Sequence, residues 1–144
     1  MTDAVADASL GVKWFVPEIL SNEANQWRDA VDQWHTLNIF FDIEIGNVLW
    51  KKIRRAEILL GDANRILLQL SGLPMQRHSE ALLLPVALDL AHRTSRTVYD
   101  CLYLALALRL GAPVVTADER FVNSLSGTPW EPHIRWVGSP PSVP

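Results

Sequence analysis

The 144-residue chain has a single cysteine, Cys101, so no internal disulfide can brace it, and this cysteine usage fits a reducing compartment. It has no excess of basic charge: 13 Lys and Arg stand against 16 Asp and Glu, a net charge of −3. The basic footprint of a nucleic-acid-coating protein is therefore absent, although local distribution matters more than the sum. Long apolar runs are absent too. The longest, around Leu102–Leu108, falls well short of the roughly 20 residues that a membrane span needs. The opening residues, MTDAVADAS, carry Asp3 and Asp7 where a secretory signal would need an apolar stretch. A cytoplasmic protein with no membrane segment is expected. The four histidines, His35, His78, His92 and His133, are dispersed and read as surface or structural. They offer no zinc-type pairing.

What is present is a globular composition, 49% hydrophobic and 20% charged, in a length suited to one domain with a proper core. That domain is expected over residues 1–138, with a flexible, proline-rich tail at 139–144. DAVADAS reads as a first strand ending near Asp7, followed by a short helix from Ser9 that Pro17 ends. Ser21 suits the N-cap of a helix from Asn22 to Trp34. Phe41, Ile45, Val48 and Leu49 share one face of a helix over 40–55. A further helix runs from Gly61-Asp62 to Leu70, and a strand is expected at Pro74–His78. The next helix lies within Ser79–His92, where Pro85 fits a first turn better than an interior position. VYDCLYLALAL opens a helix from Val98 to Leu110, closed by Gly111. It is apolar on all sides and so belongs in the interior. PVVT and IRWV read as strands, with a short helix after Asp118 between them. Strands alternating with helices predict an α/β fold, a three-layer α/β/α arrangement around a mainly parallel sheet of four to five strands.

Such sheets gather their chemistry at the carboxyl ends of the strands. Asp7 and Asp118 both fall there, and each would also serve as a helix N-cap. Asp100 lies in the first turn of the apolar helix, where the helix dipole favours an anion. Glu44 sits on the edge of the apolar stripe of its own helix, whereas Asp42, on the far side, reads as surface. Glu119, beside Asp118, either shares its role or faces water. Each acid has a plain structural explanation. Together they are harder to explain, because crowded carboxylates repel and raise one another's pKa. A hard divalent cation relieves that crowding, and Mg²⁺ or Mn²⁺ prefers oxygen ligands.

The ordered set DASLGVKWFVPE, EIGNVLWKK, VYDCLYLALAL and TADERF resembles the PIN domain, in particular the VapC-type toxin ribonucleases of bacterial toxin–antitoxin pairs. The resemblance spans about Val5 to Val137. It implies that Asp7, Glu44, Asp100 and Asp118 form one pocket for Mg²⁺ or Mn²⁺, supported through hydrogen bonds by Ser9, Asn47 and Thr116. It also implies a metal-dependent endoribonuclease leaving 5′-phosphate and 3′-hydroxyl ends, a homodimer, and a cognate antitoxin that blocks the site. Two departures stand out. HTLNIFF lacks the proline often found in the strand before the E-x-x-N helix, and Cys101 replaces a frequent alanine.

Lys13, Lys51, Lys52, Arg54, Arg55, Arg96 and Arg120 are candidate RNA phosphate contacts. For the KKIRR cluster, a solvated basic helix end beside the C-terminal dipole is the competing explanation. Trp14, Trp27, Trp34 and Trp50 lie in expected helices and suit core or dimer packing better than base stacking. Two other functions compete with the nuclease. One is a non-catalytic PIN-like binding or assembly module. The other is phosphotransfer through Asp7, for which the sequence lacks a D-x-D pair and a lysine after PVVTAD.

Overall fold

The computed structural model describes residues 2–141. Five strands form one all-parallel sheet in the order β3-β2-β1-β4-β5: β1 (Asp3–Ala6), β2 (Gln33–Leu37), β3 (Met75–His78), β4 (Val114–Thr116) and β5 (Ile134–Trp136). The chain winds outward one way from β1 to β3, returns, and winds the other way through β4 to β5. This makes the β1–β4 boundary the topological switch point, the place where open α/β sheets bind ligands. Right-handed crossovers put α1 (Ala8–Gly11), α2 (Ser21–Ala30), α3 (Phe40–Arg54) and α4 (Leu60–Leu70) on one face. They put α5 (Glu80–Thr94), α6 (Val98–Leu110) and α7 (Glu119–Ser124) on the other. Side-chain parity agrees: Trp34 packs on Trp14 on the first face, and its neighbour His35 points to the second.

The expected α/β/α layering is what the chain forms. α6 is the central helix of its face: Cys101 through Ala107 are all buried, and it packs against β1, β2, β4 and α5. Fully burying a side chain such as Leu104 contributes roughly 1.5–3 kcal/mol. Its ends are set locally. The Thr97 side chain accepts from the Asp100 N–H at 3.2 Å, and Gly111 adopts the left-handed conformation (φ 65°) that closes the helix. On the opposite face, Gly11 lets α1 lie directly against α3, since a Cβ there would fall 2.6 Å from the Phe41 ring. That close approach holds the Asp7 turn beside the helix that carries Glu44.

Three expectations need correction. The helix expected to reach Trp34 stops at Ala30, and QWHTL is the strand β2. β2 does not look like a strand because two buried members are polar. His35 pairs with His78 (2.9 Å) and Asp3 (3.2 Å), and Thr36 donates to the Ala6 carbonyl at 2.8 Å. Ser21 does not cap α2 but is its first residue; the cap position is Leu20, held at φ 69°. Pro85 lies inside α5, on its exposed side, where water can serve the carbonyl that proline leaves without a donor. The residues just after β5 are tied to α2. The Trp27 indole N–H donates to the carbonyls of Val137 (3.1 Å) and Ser139 (2.9 Å). Residues 142–144 of the expected tail lie outside the described residues.

Candidate active site

The acids expected to act together come from four separate segments. Asp7 follows β1 and caps α1, its Oδ1 accepting from the Leu10 N–H at 3.0 Å. Asp118 follows β4 and caps α7, its Oδ1 accepting from Arg120 (3.0 Å) and Phe121 (3.3 Å). Glu44 projects from the second turn of α3, and Asp100 from the first turn of α6. The capping roles are therefore real for Asp7 and Asp118, and they orient both side chains at the carboxyl edge. All four acids line one open cleft of about 500 Å³, together with Ser9, Asn47, Lys51, Tyr99 and Tyr103.

A hydroxyl network stitches the switch point together. Ser9 Oγ donates to Asp7 Oδ1 at 2.7 Å, and the Thr116 hydroxyl donates to Asp7 Oδ2. Ser9 in turn accepts from the Ala117 N–H at 2.9 Å, and Thr116 from the Asp118 N–H at 3.1 Å. Ser9 and Thr116 thus both bond Asp7. Asn47 is exposed on the cleft wall, one turn beyond Glu44, outside this network.

The four charges are handled in two different ways. Burial pushes the Asp7 carboxyl up to about 6, against the pull of its Thr116, Ser9 and Leu10 hydrogen bonds, and the Asp100 charge adds to the rise. Burial likewise pushes Glu44 up to about 7, against the Tyr103 hydrogen bond and with the charges of Asp7 and Asp100 behind it. Both inner carboxyls therefore give up their protons less readily than exposed ones. The outer pair is neutralised by a cation of the chain: Arg96 Nη2 meets Asp100 Oδ2 at 2.7 Å and Asp118 Oδ2 at 3.2 Å. Burial still holds Asp100 above the ordinary carboxylate range, opposed by Arg96 and assisted by Asp118.

Among the described residues, no three His, Cys, Asp or Glu side chains stand close enough, as placed, to hold a metal ion. The donor chemistry nevertheless fits a hard divalent cation: the cleft offers carboxylate and hydroxyl oxygens from Asp7, Glu44, Asp100, Asp118 and Ser9. A bound cation would offset the burial that raises Asp7 and Glu44. Cys101 is buried, and that burial raises its thiol, which makes it a poor nucleophile.

The basic candidates separate. Lys13 and Lys52 are tied to Glu18 at 3.0 and 2.6 Å, in a hollow of their own away from the cleft. Lys51 lines the cleft. Arg54 and Arg55 are exposed one turn further along, with Arg54 stacked 5.0 Å over the Trp50 ring. Trp50 is 50% exposed and belongs to no core, unlike Trp27 and Trp34. Arg96 bridges the outer acids, and Arg120 stands exposed beside them. One site residue had no role assigned from sequence: Tyr103, whose hydroxyl donates to Glu44 Oε1 at 2.6 Å. Its signal was a hydroxyl in an apolar helix, three residues beyond Asp100 and so on the same side.

The PIN-domain family model matches residues 4–123. The chain belongs to the PIN-domain family. Within it, the chain is 34% identical over 121 residues to Ribonuclease VapC3 of Pyrobaculum aerophilum, a match spanning 83% of this chain and 92% of that protein. The fold has solved counterparts. The crystal structure of PAE2754 from Pyrobaculum aerophilum superposes with a TM-score of 0.69 at 22% identity, covering 94% of this chain and 84% of that one. A toxin–antitoxin complex from Klebsiella pneumoniae gives a TM-score of 0.65 at 15% identity, covering 97% and 99%. This PIN domain is thus a VapC homologue. Among its described residues, no helix is long and apolar enough to cross a membrane.

Proposed function

We propose that this PIN domain is a metal-dependent endoribonuclease, the toxin of a toxin–antitoxin pair. The observation that carries this reading is the meeting of Asp7, Glu44, Asp100 and Asp118, from four distant segments, in one cleft at the switch point of the sheet. The curated relative is a ribonuclease by name, and one structural neighbour comes from a toxin–antitoxin complex.

In this reading Asp7, Asp100 and Asp118 hold Mg²⁺ or Mn²⁺, and Glu44 contributes directly or through water. The bound cation supplies a water of lowered pKa and positive charge to offset the charge gathering on the phosphate. The chain's own residues do the positioning. Ser9 and Thr116 fix both oxygens of Asp7, and Tyr103 fixes Glu44. Lys51 lines the cleft and offers an ammonium to the RNA backbone. No histidine lines the cleft to act as a general base. A cognate antitoxin would cover this cleft, and a second copy of the chain would cover the exposed side of α5.

The test is cleavage of RNA by antitoxin-free protein with Mg²⁺ or Mn²⁺. Cleavage should require metal and stop on addition of a chelator. Folded protein that leaves RNA intact with either metal would support the alternative, a non-catalytic PIN-like module.

A further inference from the structure

Arg96 precedes α6 and is only 21% exposed, although it sits at the mouth of a cleft. One of its nitrogens serves both outer acids, Asp100 at 2.7 Å and Asp118 at 3.2 Å, and its guanidinium lies 5.5 Å over the Phe121 ring. A guanidinium has five N–H donors. Its Nε–H is buried with no partner among the described residues, and so is the indole N–H of Trp136. Both residues line a second open groove of about 640 Å³, which shares Asp118 with the acidic cleft. Arg120 lines this groove as well, and Glu119 is its other acid.

We propose that Arg96 is the site's own counter-ion and an exchangeable phosphate ligand. It holds Asp100 and Asp118 in the metal-free protein, then engages an RNA phosphate in the adjoining groove once a divalent cation takes their charge. The inference rests on the ribonuclease reading. A guanidinium and a divalent cation repel, so they compete for the same two carboxylate oxygens. The arginine fork suits phosphate as well as carboxylate. The Arg96 Nε–H and the Trp136 indole N–H lie unspent behind the wall of this groove, and Arg120 adds its charge along it. The charge that the cation displaces is thus reused on substrate.

Two measurements on the full chain test this. The first is calorimetric Mn²⁺ binding without RNA. Arg96→Gln should bind Mn²⁺ about tenfold more tightly than wild type, because the competitor is gone. Arg96→Lys keeps the charge without the fork and should fall between, about threefold tighter. The second is binding of a labelled single-stranded oligoribonucleotide with Ca²⁺ in place of Mn²⁺. Arg96→Gln should weaken it several-fold and flatten the salt dependence by about 0.7, one phosphate contact on a single strand. If Arg96→Gln does not fold, Arg96→Lys must still bind Mn²⁺ more tightly than wild type. Unchanged or weaker Mn²⁺ binding, or RNA binding with unchanged affinity and salt slope, overturns the inference and leaves the nuclease standing. Wild-type protein that binds no Mn²⁺ overturns the nuclease reading, and this one with it.

Discussion

The Tyr103 hydroxyl donates to Glu44 Oε1 across 2.6 Å, tying the core helix α6 to α3 over the carboxyl edge of the sheet. The two elements lie on opposite faces, and both residues line the acidic cleft. Burial pushes Glu44 up to about 7, and the bond to Tyr103 pulls it the other way. Tyr103→Phe removes that pull while keeping the ring. Glu44 then holds its proton to higher pH, and the acidic limb of the pH–rate profile should move upward by about one pH unit. The fold should lose only about 1 kcal/mol, the net worth of one hydrogen bond. An unmoved profile would mean that Glu44 takes no part in the rate.

The inner pair also predicts how the metal-free protein responds to pH. Asp7 rises from 3.8 to about 6 and Glu44 from 4.5 to about 7 on folding. Between those values the folded chain binds more protons than the unfolded chain, so stability falls as pH rises. Denaturant unfolding with a chelator present should therefore show a loss of a few kcal/mol from about pH 4 to about pH 7. Mg²⁺ should reverse the trend by stabilising the ionised carboxylates. Metal-free protein whose stability climbs over that window would mean that the two acids are not buried as described.

How much of this was legible in the sequence depended on the residue. The acids at strand ends were legible because capping and metal binding ask for the same residue at the same turn, as Asp7 and Asp118 show. α6 was legible because an apolar run followed by Gly111 has one physical outcome. β2 was not: Trp34, His35 and Thr36 give no alternation, and the bonds that make their burial affordable come from Asp3, His78 and Ala6, residues remote in sequence. Lys52 was misread for the same reason. It sits in a basic run, yet the partner that decides its place, Glu18, lies 34 positions away. Charge runs reveal composition, while pairing is a tertiary fact.

Asp100 and Leu104 share a helix face but should fail differently. Asp100→Asn removes one charge from the cleft and one partner from Arg96, leaving the Thr97 cap untouched, since that cap binds the Asp100 backbone. RNA cleavage should fall to background while the melting temperature moves by no more than a few degrees. Leu104 is fully buried, and Leu104→Asp places an unpaired carboxyl in the core at a cost of several kcal/mol. It should yield little folded protein. Circular dichroism and a cleavage assay on both variants separate the roles. If Asp100→Asn unfolds the chain while Leu104→Asp does not, Asp100 is structural and the cleft is not the active site.

The outer side of α5 makes the last prediction. Leu83, Ala87 and Leu90 face the core, which leaves Leu82, Leu84, Val86 and Leu88 in solvent, Leu82 at 66% and Leu88 at 62% exposure. Monomers seldom expose so many large apolar side chains on one helix. The nearest charged pair on this helix, Asp89 with Arg93, is already satisfied internally at 2.9 Å. The exposed side therefore offers little charge for a partner to match, and an equally apolar surface from a second copy fits it best, in a two-fold arrangement. Light scattering on purified protein should give the mass of a dimer. Leu82→Glu with Leu88→Glu should give a folded monomer, because both side chains leave the core untouched. A wild-type monomer at high protein concentration would rule the dimer out, and a double variant that stays dimeric would move the interface away from α5.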